Sequence, residues 1–551
     1  MWKSIGDLTE PFNDAVNYRS RQEKEFFNKV FLKTDHLGRI VKPSTYYVMG
    51  EKGTGKTAYA TYMENNSIDE NRCKLVTLTE TQYKRFIAMK KEGRLAYSDY
   101  ASIWRSTLLL LVAEMYVDKN KGLLHSITGK CRKVEEAIAR WNSAALNPEV
   151  EGALELLTSD SLTALIKAAH VGHIGAEQMA QQTQKSSVLR HHLLETESFL
   201  KEAIGDLRLP QNHILFIDGI DYRPEQVAYG DYLQCIKGLG EAAWQLNTEY
   251  FNKIRDSKGR TKIVLLLRPD VFHNLNLYNS NSKIQDNTAL LSWATTEQEV
   301  MSSDLYQACA KFLASQQAGD RTPNDAWKNY FPPEAKSEEH FKRLLRLSFQ
   351  RPRDILTFIR LLRAQQVEQG NGGLSHFDSS LMSSPRFSRD SSDYLLGEVR
   401  NYSAFYMPPE DFGNYLKFFQ YLDGRRKTSM EEFSTAHKKF VKWAKGEQFT
   451  ARDYLRDPEA MLQLFYDVNI IGYKEVASAT SEPFFHWSFR ERSLNNIAPK
   501  IKNVGELMIN IGIAKALDIG KQMEQTGPRT PPRNRHRQSP LKSDKRRPRP
   551  R

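Results

Sequence analysis

The sequence predicts an α/β fold: a doubly wound parallel sheet with a large helical insertion, a helical lid and a C-terminal winged-helix-like module. Three observations lead to the sheet. Residues 46–60, YYVMGEKGTGKTAYA, place a glycine-rich loop between a run of β-formers and a helix. Two later segments, HILFIDGID (213–221) and TKIVLLLRPD (261–270), are continuous apolar runs, as in parallel strands buried on both faces. Helical segments separate these strands, which is typical of doubly wound sheets.

The glycine-rich loop matches the pattern G-x-x-x-x-G-K-[ST] of phosphate-binding loops. Glycines let successive backbone N–H groups turn toward an anion, and the following helix points its positive end at the same place. Lys56 would then reach the β- and γ-phosphates of a nucleotide, and Thr57 would coordinate Mg²⁺. A chance match is the alternative, which the strand before the loop and the helix after it disfavour. The predicted nucleotide-binding residues are Gly50, Glu51, Lys52, Gly53, Thr54, Gly55, Lys56, Thr57 and Ala58.

An aspartate at the end of a neighbouring strand would complete such a site, because it holds Mg²⁺ beside the phosphates. The segment ILFID provides one, since four apolar residues precede Asp218. Asp221 follows in the same segment and is predicted to orient or deprotonate the attacking water. Taken alone, ILFID also fits a buried strand that ends in a turn. The glycine-rich loop favours the metal site.

Three arginines are candidate contacts for the γ-phosphate. Arg268 lies at the carboxyl edge of the predicted sheet, although pairing with Asp270 is the alternative. Arg351 and Arg353 precede a helix, because Pro352 interrupts the one before it. They would close over the nucleotide from the helical lid, or else form the solvated start of a basic helix. The predicted catalytic residues are Lys56, Asp221, Arg268, Arg351 and Arg353.

In this order, GEKGTGKT (50–57), ILFIDGID, LLLRPD and QRPRD resemble the motifs of the STAND and AAA+-like branch of P-loop ATPases. The chain looks similar to bacterial stand-alone ATPases linked with phage-defence loci. The resemblance implies an ATP-hydrolysing regulatory switch built on a P-loop NTPase core, with ATP and Mg²⁺ as cofactors. Tyr222 replaces the acid that usually follows the second aspartate, so hydrolysis is expected to be slow. No NKxD-like guanine motif is present, which favours ATP over GTP.

Changes in pattern along the chain predict the domain boundaries. Strands are expected at 45–49, 73–79, 213–221, 261–270 and 288–294, and a segment rich in Gly and Ser is expected to be a linker. The resulting division is a helical lead-in (1–44), an ATPase core (45–296) with a helical insertion (about 82–207), a helical lid (297–368), the linker (369–394), a winged-helix-like module (395–510) and a disordered basic tail (525–551).

The composition indicates a soluble, multidomain chain. Its 551 residues correspond to about two to four domains. No apolar run reaches the roughly 18 residues of a membrane span, and the N-terminus shows no signal-peptide pattern. We therefore expect a cytoplasmic protein without membrane contact.

Cysteine and histidine patterns do not indicate a metal centre. The four cysteines lie far apart in the sequence, which argues against a zinc site or a disulfide framework. His191 and His192, with Glu195 near them, lack a third ligand at a fitting spacing, so a solvated helix face is the preferred interpretation. His486 is interpreted as a packed strand residue.

The net charge of +13 is concentrated in the tail. Residues 529–551 contain ten Lys or Arg and a single acid, Asp544, interleaved with prolines. Such a segment cannot bury a core and is predicted to bind nucleic acid non-specifically. A solvated or vector-derived extension is the alternative.

The winged-helix-like module leaves a second function open. The segment FFHWSFRERS, with Arg490 and Arg492, would be a DNA-contacting wing, although such modules serve equally as protein contacts or lids. The alternative function is a DNA-binding adaptor whose assembly is gated by nucleotide, either as a homo-oligomer or with a partner protein. A third interpretation is a nucleotide-bound scaffold without turnover.

Overall fold

A five-stranded parallel sheet organises the part of the chain that the computed structural model describes. That part comprises residues 2–78, 83, 87, 100–118, 131–143, 185–225, 227–296, 298–332, 338–476, 482–502 and 505–520. The strands are β1 (Tyr47–Met49), β2 (Asn71–Thr77), β3 (Asn212–Asp218), β4 (Thr261–Leu267) and β5 (Thr288–Leu290). Their spatial order is β2-β3-β4-β1-β5, and neighbouring strands are parallel. The predicted α/β class with a parallel sheet is confirmed.

Alternation along the strands supplies both faces of this sheet with apolar side chains. In β3, Ile214 and Phe216 join one hydrophobic core, whereas Leu215 and Ile217 join the other. All residues of β4 are buried. Neighbouring residues of a strand point to opposite faces, so a continuous apolar run needs cover on both sides. Helices provide this cover on each face.

Helices also make up much of the rest of the described residues. Those up to the end of the sheet are α1 (Arg21–Val30), α2 (Asp35–Val41), α3 (Lys56–Asn65), α4 (Tyr100–Asp118), α5 (Arg132–Ser143), α6 (Lys185–Gly205), α7 (Tyr229–Gln245), α8 (Pro269–Leu275) and α9 (Ser280–Asn287). Those after it are α10 (Asp304–Ala314), α11 (Pro323–Tyr330), α12 (Glu338–Leu347), α13 (Pro352–Glu368), α14 (Pro385–Ser403), α15 (Pro409–Leu416), α16 (Met430–Ala444), α17 (Pro458–Asp467), α18 (Ser488–Glu491) and α19 (Ile511–Ala514). None of the described helices is both long and apolar enough to cross a membrane.

Most of the described residues in the predicted insertion at about 82–207 are helical. Its helices are α4, α5 and α6. Helix α4 packs on α7, where Trp104 Nε1 donates to the Cys235 carbonyl at 3.0 Å. The side chains of His191 and His192, for which a solvated face was predicted, lie outside the described residues.

The predicted linker at 369–394 is wrong in its second half, because α14 begins at Pro385. Ser384 caps this helix by accepting a hydrogen bond from the backbone N–H of Phe387. Phe387 and Leu395 are both buried in a hydrophobic core. Serine and proline that begin a helix therefore produced a composition that resembles a linker. The domain division itself stays a prediction.

A second sheet lies in the C-terminal part of the chain. It comprises β6 (Lys427–Thr428), β7 (Ile471–Val476), β8 (Pro483–His486) and β9 (Glu506–Ile509), in the order β6-β9-β7-β8. All of its described pairings are antiparallel. Only the start of FFHWSFRERS, the segment predicted to form a wing, is a strand, because β8 ends at His486 and α18 follows it.

Gly238→Ala is expected to destabilise the protein at the contact between α4 and α7. A Cβ on Gly238 would lie 2.4 Å from Tyr100 Cβ and 2.9 Å from the carbonyl carbon of the same residue. Overpacking of this kind costs about 1–3 kcal/mol. Gly413→Ala in α15 is the matched control, because nothing lies within 4 Å of the added Cβ and alanine favours a helix by about 0.5–1 kcal/mol. Thermal unfolding midpoints of the wild type and of both variants measure these effects. A Gly238→Ala midpoint equal to that of the wild type would rule out this close contact between α4 and α7.

Candidate functional site

The glycine-rich loop joins β1 to α3 at the carboxyl end of the sheet. Gly53 and Gly55 have φ values of +88° and +96°, in the left-handed region that favours glycine. A Cβ on Gly50 would lie 2.3 Å from Thr54 Oγ1, which itself donates to the Glu51 carbonyl at 2.8 Å. The shape of the loop therefore requires its glycines.

Lys56, the first residue of α3, folds back over the loop and is buried. Its Nζ donates to the Gly50 carbonyl at 2.9 Å and lies 3.0 Å from Asp221 Oδ2. Asp221 Oδ1 accepts the backbone N–H of Arg268 at 2.8 Å. The aspartate thus positions the lysine and connects the loop after β3 to the end of β4.

The two predicted metal ligands are also in contact. Thr57 Oγ1 donates to Asp218 Oδ2 at 2.6 Å, and the N–H of Gly219 donates to Asp218 Oδ1 at 2.8 Å. Burial raises the pKa of Asp218, against the opposite effects of Thr57 and Lys56. Mg²⁺ is typically bound by one or two protein oxygens together with water and phosphate. A hydroxyl beside a carboxylate fits such an ion.

Arg268, a predicted γ-phosphate contact, is fully buried and pairs with Asp270. Its Nε and Nη2 donate to the two carboxylate oxygens of Asp270 at 3.1 and 2.7 Å, and its Nη1 donates to the Tyr402 carbonyl at 3.1 Å. Burial opposes ionisation of Asp270, but Arg268 and Arg492 hold the pKa of its carboxyl below the usual range. The structure therefore shows the pairing with Asp270. Arg268 also lines the cavity beside the glycine-rich loop, so its contact with the γ-phosphate stays a prediction.

The two arginines of the predicted lid differ in their contacts. Arg351 is buried, holds Asp354 through hydrogen bonds of 3.0 and 2.7 Å, and donates to the carbonyl of Lys52 in the glycine-rich loop. Arg353 lines a cavity beside the loop and lies 3.3 Å from Glu398 of α14. A solvated helix start therefore does not describe Arg351. Arg353 is the lid arginine that contacts the cavity.

Lys52 is a further cation at this cavity. Burial lowers the pKa of Lys52 to about 8, Glu398 acts in the opposite direction, and Arg353 adds to the lowering. The sequence identified Lys52 only as a member of the loop, because the glycine-rich pattern leaves its position variable. Its role in the site becomes visible only from the groups around it.

A buried ion pair joins the loop to the C-terminal part of the chain. Arg492 Nη1 lies 2.5 Å from Glu51 Oε1 and donates to the Tyr402 hydroxyl at 2.8 Å. Its Nη2 donates to the Asp467 carbonyl at 3.3 Å. Arg492 is only 6% exposed, so it is not a surface residue of a DNA-contacting wing. No local sequence signal connects Glu51 with Arg492.

The remaining candidates lie away from the loop or outside the described residues. His486 stacks on Tyr473 with ring centroids 4.5 Å apart and lies 2.8 Å from Glu491, which confirms a packed strand residue. Arg490 Nη2 donates to the Thr295 carbonyl at 3.3 Å. The basic tail, for which nucleic-acid binding was predicted, lies outside the described residues.

A cavity of about 410 Å³ adjoins the loop. Part of its wall is polar and contains the predicted residues Lys56, Thr57, Asp218 and Asp221. Another part is apolar and comes from the N-terminal lead-in and α10, including Phe12, Tyr18, Val30, Phe31 and Phe312. The sequence predicted the lead-in only as helix, and its density of aromatic residues was the available signal for a binding wall.

Part of the chain matches a protein family, and a longer part is similar to a distant relative. Residues 304–395 match a family described as a FunZ-associated C-terminal helical domain, a region that includes both lid arginines. The chain is 20% identical over 375 residues to a "Putative transposon gamma-delta 80.3 kDa protein" of Escherichia coli (strain K12). The alignment covers 65% of this chain and 47% of that protein, so the chain spans about half the length of this relative. Neither description names a nucleotide or a reaction.

Proposed function

We propose that the chain binds ATP with Mg²⁺ and hydrolyses it, as a regulatory switch of the STAND/AAA+-like type. One observation carries the proposal: Lys56, Thr57 and Asp218 meet beside a glycine-rich loop at the carboxyl edge of the sheet and line one cavity. Open α/β sheets bind ligands at this edge. The P-loop ATPase core, the helical lid and the winged-helix-like module are parts of the same proposal.

The loop and the start of α3 provide the groups that a triphosphate needs. Helix α3 begins at Lys56, so its free N–H groups and positive end lie at the loop. Lys56 would contact the β- and γ-phosphates, and Thr57 and Asp218 would hold Mg²⁺. When bound, this ion neutralises charge on the transferred phosphoryl group. Because Lys56 lies 3.0 Å from Asp221, phosphate binding would replace one anion at its ammonium by another.

The apolar part of the cavity supports a purine base as the rest of the ligand. Its volume of about 410 Å³ lies within the ~300–1,000 Å³ of small-molecule sites. Aromatic side chains such as Phe12 and Tyr18 offer ring faces or edges against which a base packs well. No guanine-specificity motif accompanies the loop in the sequence, and this favours adenine.

Hydrolysis would depend on Asp221. Its side chain is 22% exposed and lines the cavity, so a water molecule can reach it. Release of Lys56 to the phosphates would free the Asp221 carboxylate to position that water. Tyr222 follows in place of the usual acid, which is why we expect slow turnover.

Two regions beyond the sheet contact the loop and would respond to nucleotide. Arg351, immediately before α13, donates to the Lys52 carbonyl, and Arg492 pairs with Glu51. A ligand shifts a conformational equilibrium only through contacts that differ between the states. A change in the loop on phosphate binding would alter both contacts. The output would be assembly with another copy or a partner protein in the cytoplasm and, from the resemblance, a role in bacterial phage defence.

A DNA-binding adaptor gated by nucleotide is the second candidate, and an exposed basic surface favours it. Helix α16 carries the exposed residues Lys438, Lys439 and Lys442, and Lys445 follows it. Helix α17 contains no Lys or Arg and is largely buried, whereas a groove-reading helix needs side chains that reach base edges. This candidate would therefore rely on salt-dependent phosphate contacts. The ATP hydrolysis rate with and without duplex DNA separates the two functions.

Lys56→Ala is expected to weaken ATP binding by about 10- to 100-fold, because a hydrogen bond to a charged group contributes ~1.5–3 kcal/mol. Titration of the full chain with ATP and Mg²⁺ measures the change. Lys438→Ala, at an exposed position of α16, is the control and should bind ATP like the wild type. Wild-type affinity and turnover in a folded Lys56→Ala protein would refute the phosphate-binding loop.

Replacing Asp218 is expected to affect ATP binding, whereas replacing Asp221 is expected to affect hydrolysis. Asp218→Asn removes a Mg²⁺ ligand and should weaken Mg²⁺-dependent ATP binding. Asp221→Asn should retain ATP but lower kcat by about 100-fold or more, because a water-positioning base acts mainly in the transition state. Single-turnover hydrolysis and ATP titration at several Mg²⁺ concentrations separate these effects. Normal hydrolysis by Asp221→Asn would show that this residue has only a structural role.

Arg492→Met is expected to destabilise the protein by about 3–5 kcal/mol, because it leaves the buried Glu51 carboxylate without its partner. The double variant Glu51→Gln/Arg492→Met removes both charges and should recover most of this loss. Urea unfolding of the wild type, both single variants and the double variant completes the cycle. A double variant as unstable as the sum of the single variants would show that the two residues do not interact.

A further inference from the structure

Beside the cavity, where α13 and α14 meet the glycine-rich loop, three cations lie near two carboxylates. Asp354 neutralises Arg351 through the two hydrogen bonds described above. Glu398 lies 3.3 Å from Arg353 and 3.8 Å from Arg351. Lys52 is the third cation, and among the described residues no carboxylate lies within ion-pair distance of its ammonium. One positive charge at the cavity therefore lacks a counter-ion of its own.

Lys52 is half-buried, and an ammonium that is partly removed from water without a counter-ion is destabilised. For this reason burial lowers the pKa of Lys52 to about 8. Three arginines act in the same direction as burial: Arg353 and Arg351 at the start of α13, and Arg268 at the end of β4. Glu398 on α14 is the one carboxylate that raises this pKa among the groups acting on Lys52. An anion arriving at the cavity would relieve this imbalance.

The cavity has one cation from the glycine-rich loop, Lys52, and one from the start of α13, Arg353. Both line it, together with Lys56 and Thr57 from the far end of the same loop. A Cβ on Gly53 would lie 3.3 Å from Arg353 Cβ, so the lid arginine packs directly on the loop backbone. The two cations are thus placed to contact one anion held at the loop.

We propose that Lys52 and Arg353 bind the terminal phosphate of a nucleoside triphosphate, and that Glu398 takes the place of this phosphate when it is absent. The inference rests on the proposed function and adds a means by which the site distinguishes a triphosphate from a diphosphate. Phosphate oxygens accept charge-assisted hydrogen bonds from ammonium and guanidinium groups together. A diphosphate lacks the group that competes with Glu398.

Glu398 lies on α14, and this helix also contacts other charged residues of the site. Helix α14 also carries Tyr402, whose carbonyl accepts from Arg268 and whose hydroxyl accepts from Arg492. A terminal phosphate that releases Glu398 therefore changes the contacts of α14, the helix whose Tyr402 also contacts Arg492 of the buried ion pair with Glu51.

Dissociation constants of the full chain for ATP and ADP, each with Mg²⁺, test the inference. At pH 7, Lys52→Met is expected to raise the Kd for ATP by about tenfold or more, the loss of one charged contact, and to change the Kd for ADP by less than about twofold. Lys52→Arg is the matched control, because it keeps the charge and should keep most of the preference for ATP. Glu398→Gln should lower the Kd for ATP by several fold, since the competing charge is gone.

The pH dependence provides a second readout. In the free chain Lys52 loses its proton near pH 8, and a bound phosphate raises the pKa of its ammonium. Above pH 8 the binding of ATP therefore takes up a proton, and affinity falls as pH rises. The ratio of the Kd for ATP to that for ADP should increase between about pH 7 and 9.5 in the wild type. The same ratio should stay constant in Lys52→Arg and Lys52→Met.

The outcomes separate this inference from the proposed function. Equal loss of ATP and ADP affinity in Lys52→Met would overturn the inference and leave nucleotide binding intact, as would a ratio that is independent of pH in the wild type. An unchanged preference in Glu398→Gln would overturn the competition by Glu398, and it does not require the Lys52 variants to fold. Failure of the wild type to bind either nucleotide would overturn the proposed function itself, and the inference with it.

Discussion

The arrangement of the site depends on a buried network of two carboxylates and two guanidinium groups. Glu51 lies 2.5 Å from Arg492, Arg492 lies 3.7 Å from Asp270, and Asp270 pairs with Arg268 at 2.7 Å. Ions removed from water are tolerated only beside close partners, and the loss of one leaves the other uncompensated. These charges hold the glycine-rich loop, the end of β4 and the C-terminal region together. Moving any one of these segments away would leave a buried charge without its partner, which costs free energy.

The sequence predicts the local features of the site but not this network of long-range ion pairs. The strands and the loop were predictable, because continuous apolar runs and glycines at fixed spacing reflect constraints that act within a few residues. The meeting of Thr57 with Asp218 was also predictable, since parallel strands end at one edge of the sheet. The pairing of Glu51 with Arg492 depends on how distant segments pack, and no local pattern encodes it. The linker prediction for residues 369–394 was partly wrong for a related reason. Serine is typical of linkers, but Ser384 caps a helix.

Charge is distributed unequally around the cavity. Near α3, Lys56 is accompanied by two carboxylates, Asp218 and Asp221, which leaves an excess of negative charge. On the lid side, Lys52 leaves an excess of positive charge. A polyphosphate that carries a divalent cation presents both signs close together. Complementary placement of charges fixes the orientation of a ligand more effectively than it raises affinity, so this asymmetry is suited to holding such a ligand in one direction.

The lid and the C-terminal region contact neighbouring residues of one short loop. Arg351 holds the carbonyl of Lys52, and Arg492 holds the side chain of Glu51. Because these two loop residues share a peptide unit, a movement of the backbone at one changes the position of the other. On the proposed function, phosphate binding moves or stiffens this same backbone. Nucleotide occupancy, lid position and the position of the C-terminal region are then coupled. Within each pair of these, the effect of the first on the second equals the effect of the second on the first in free energy.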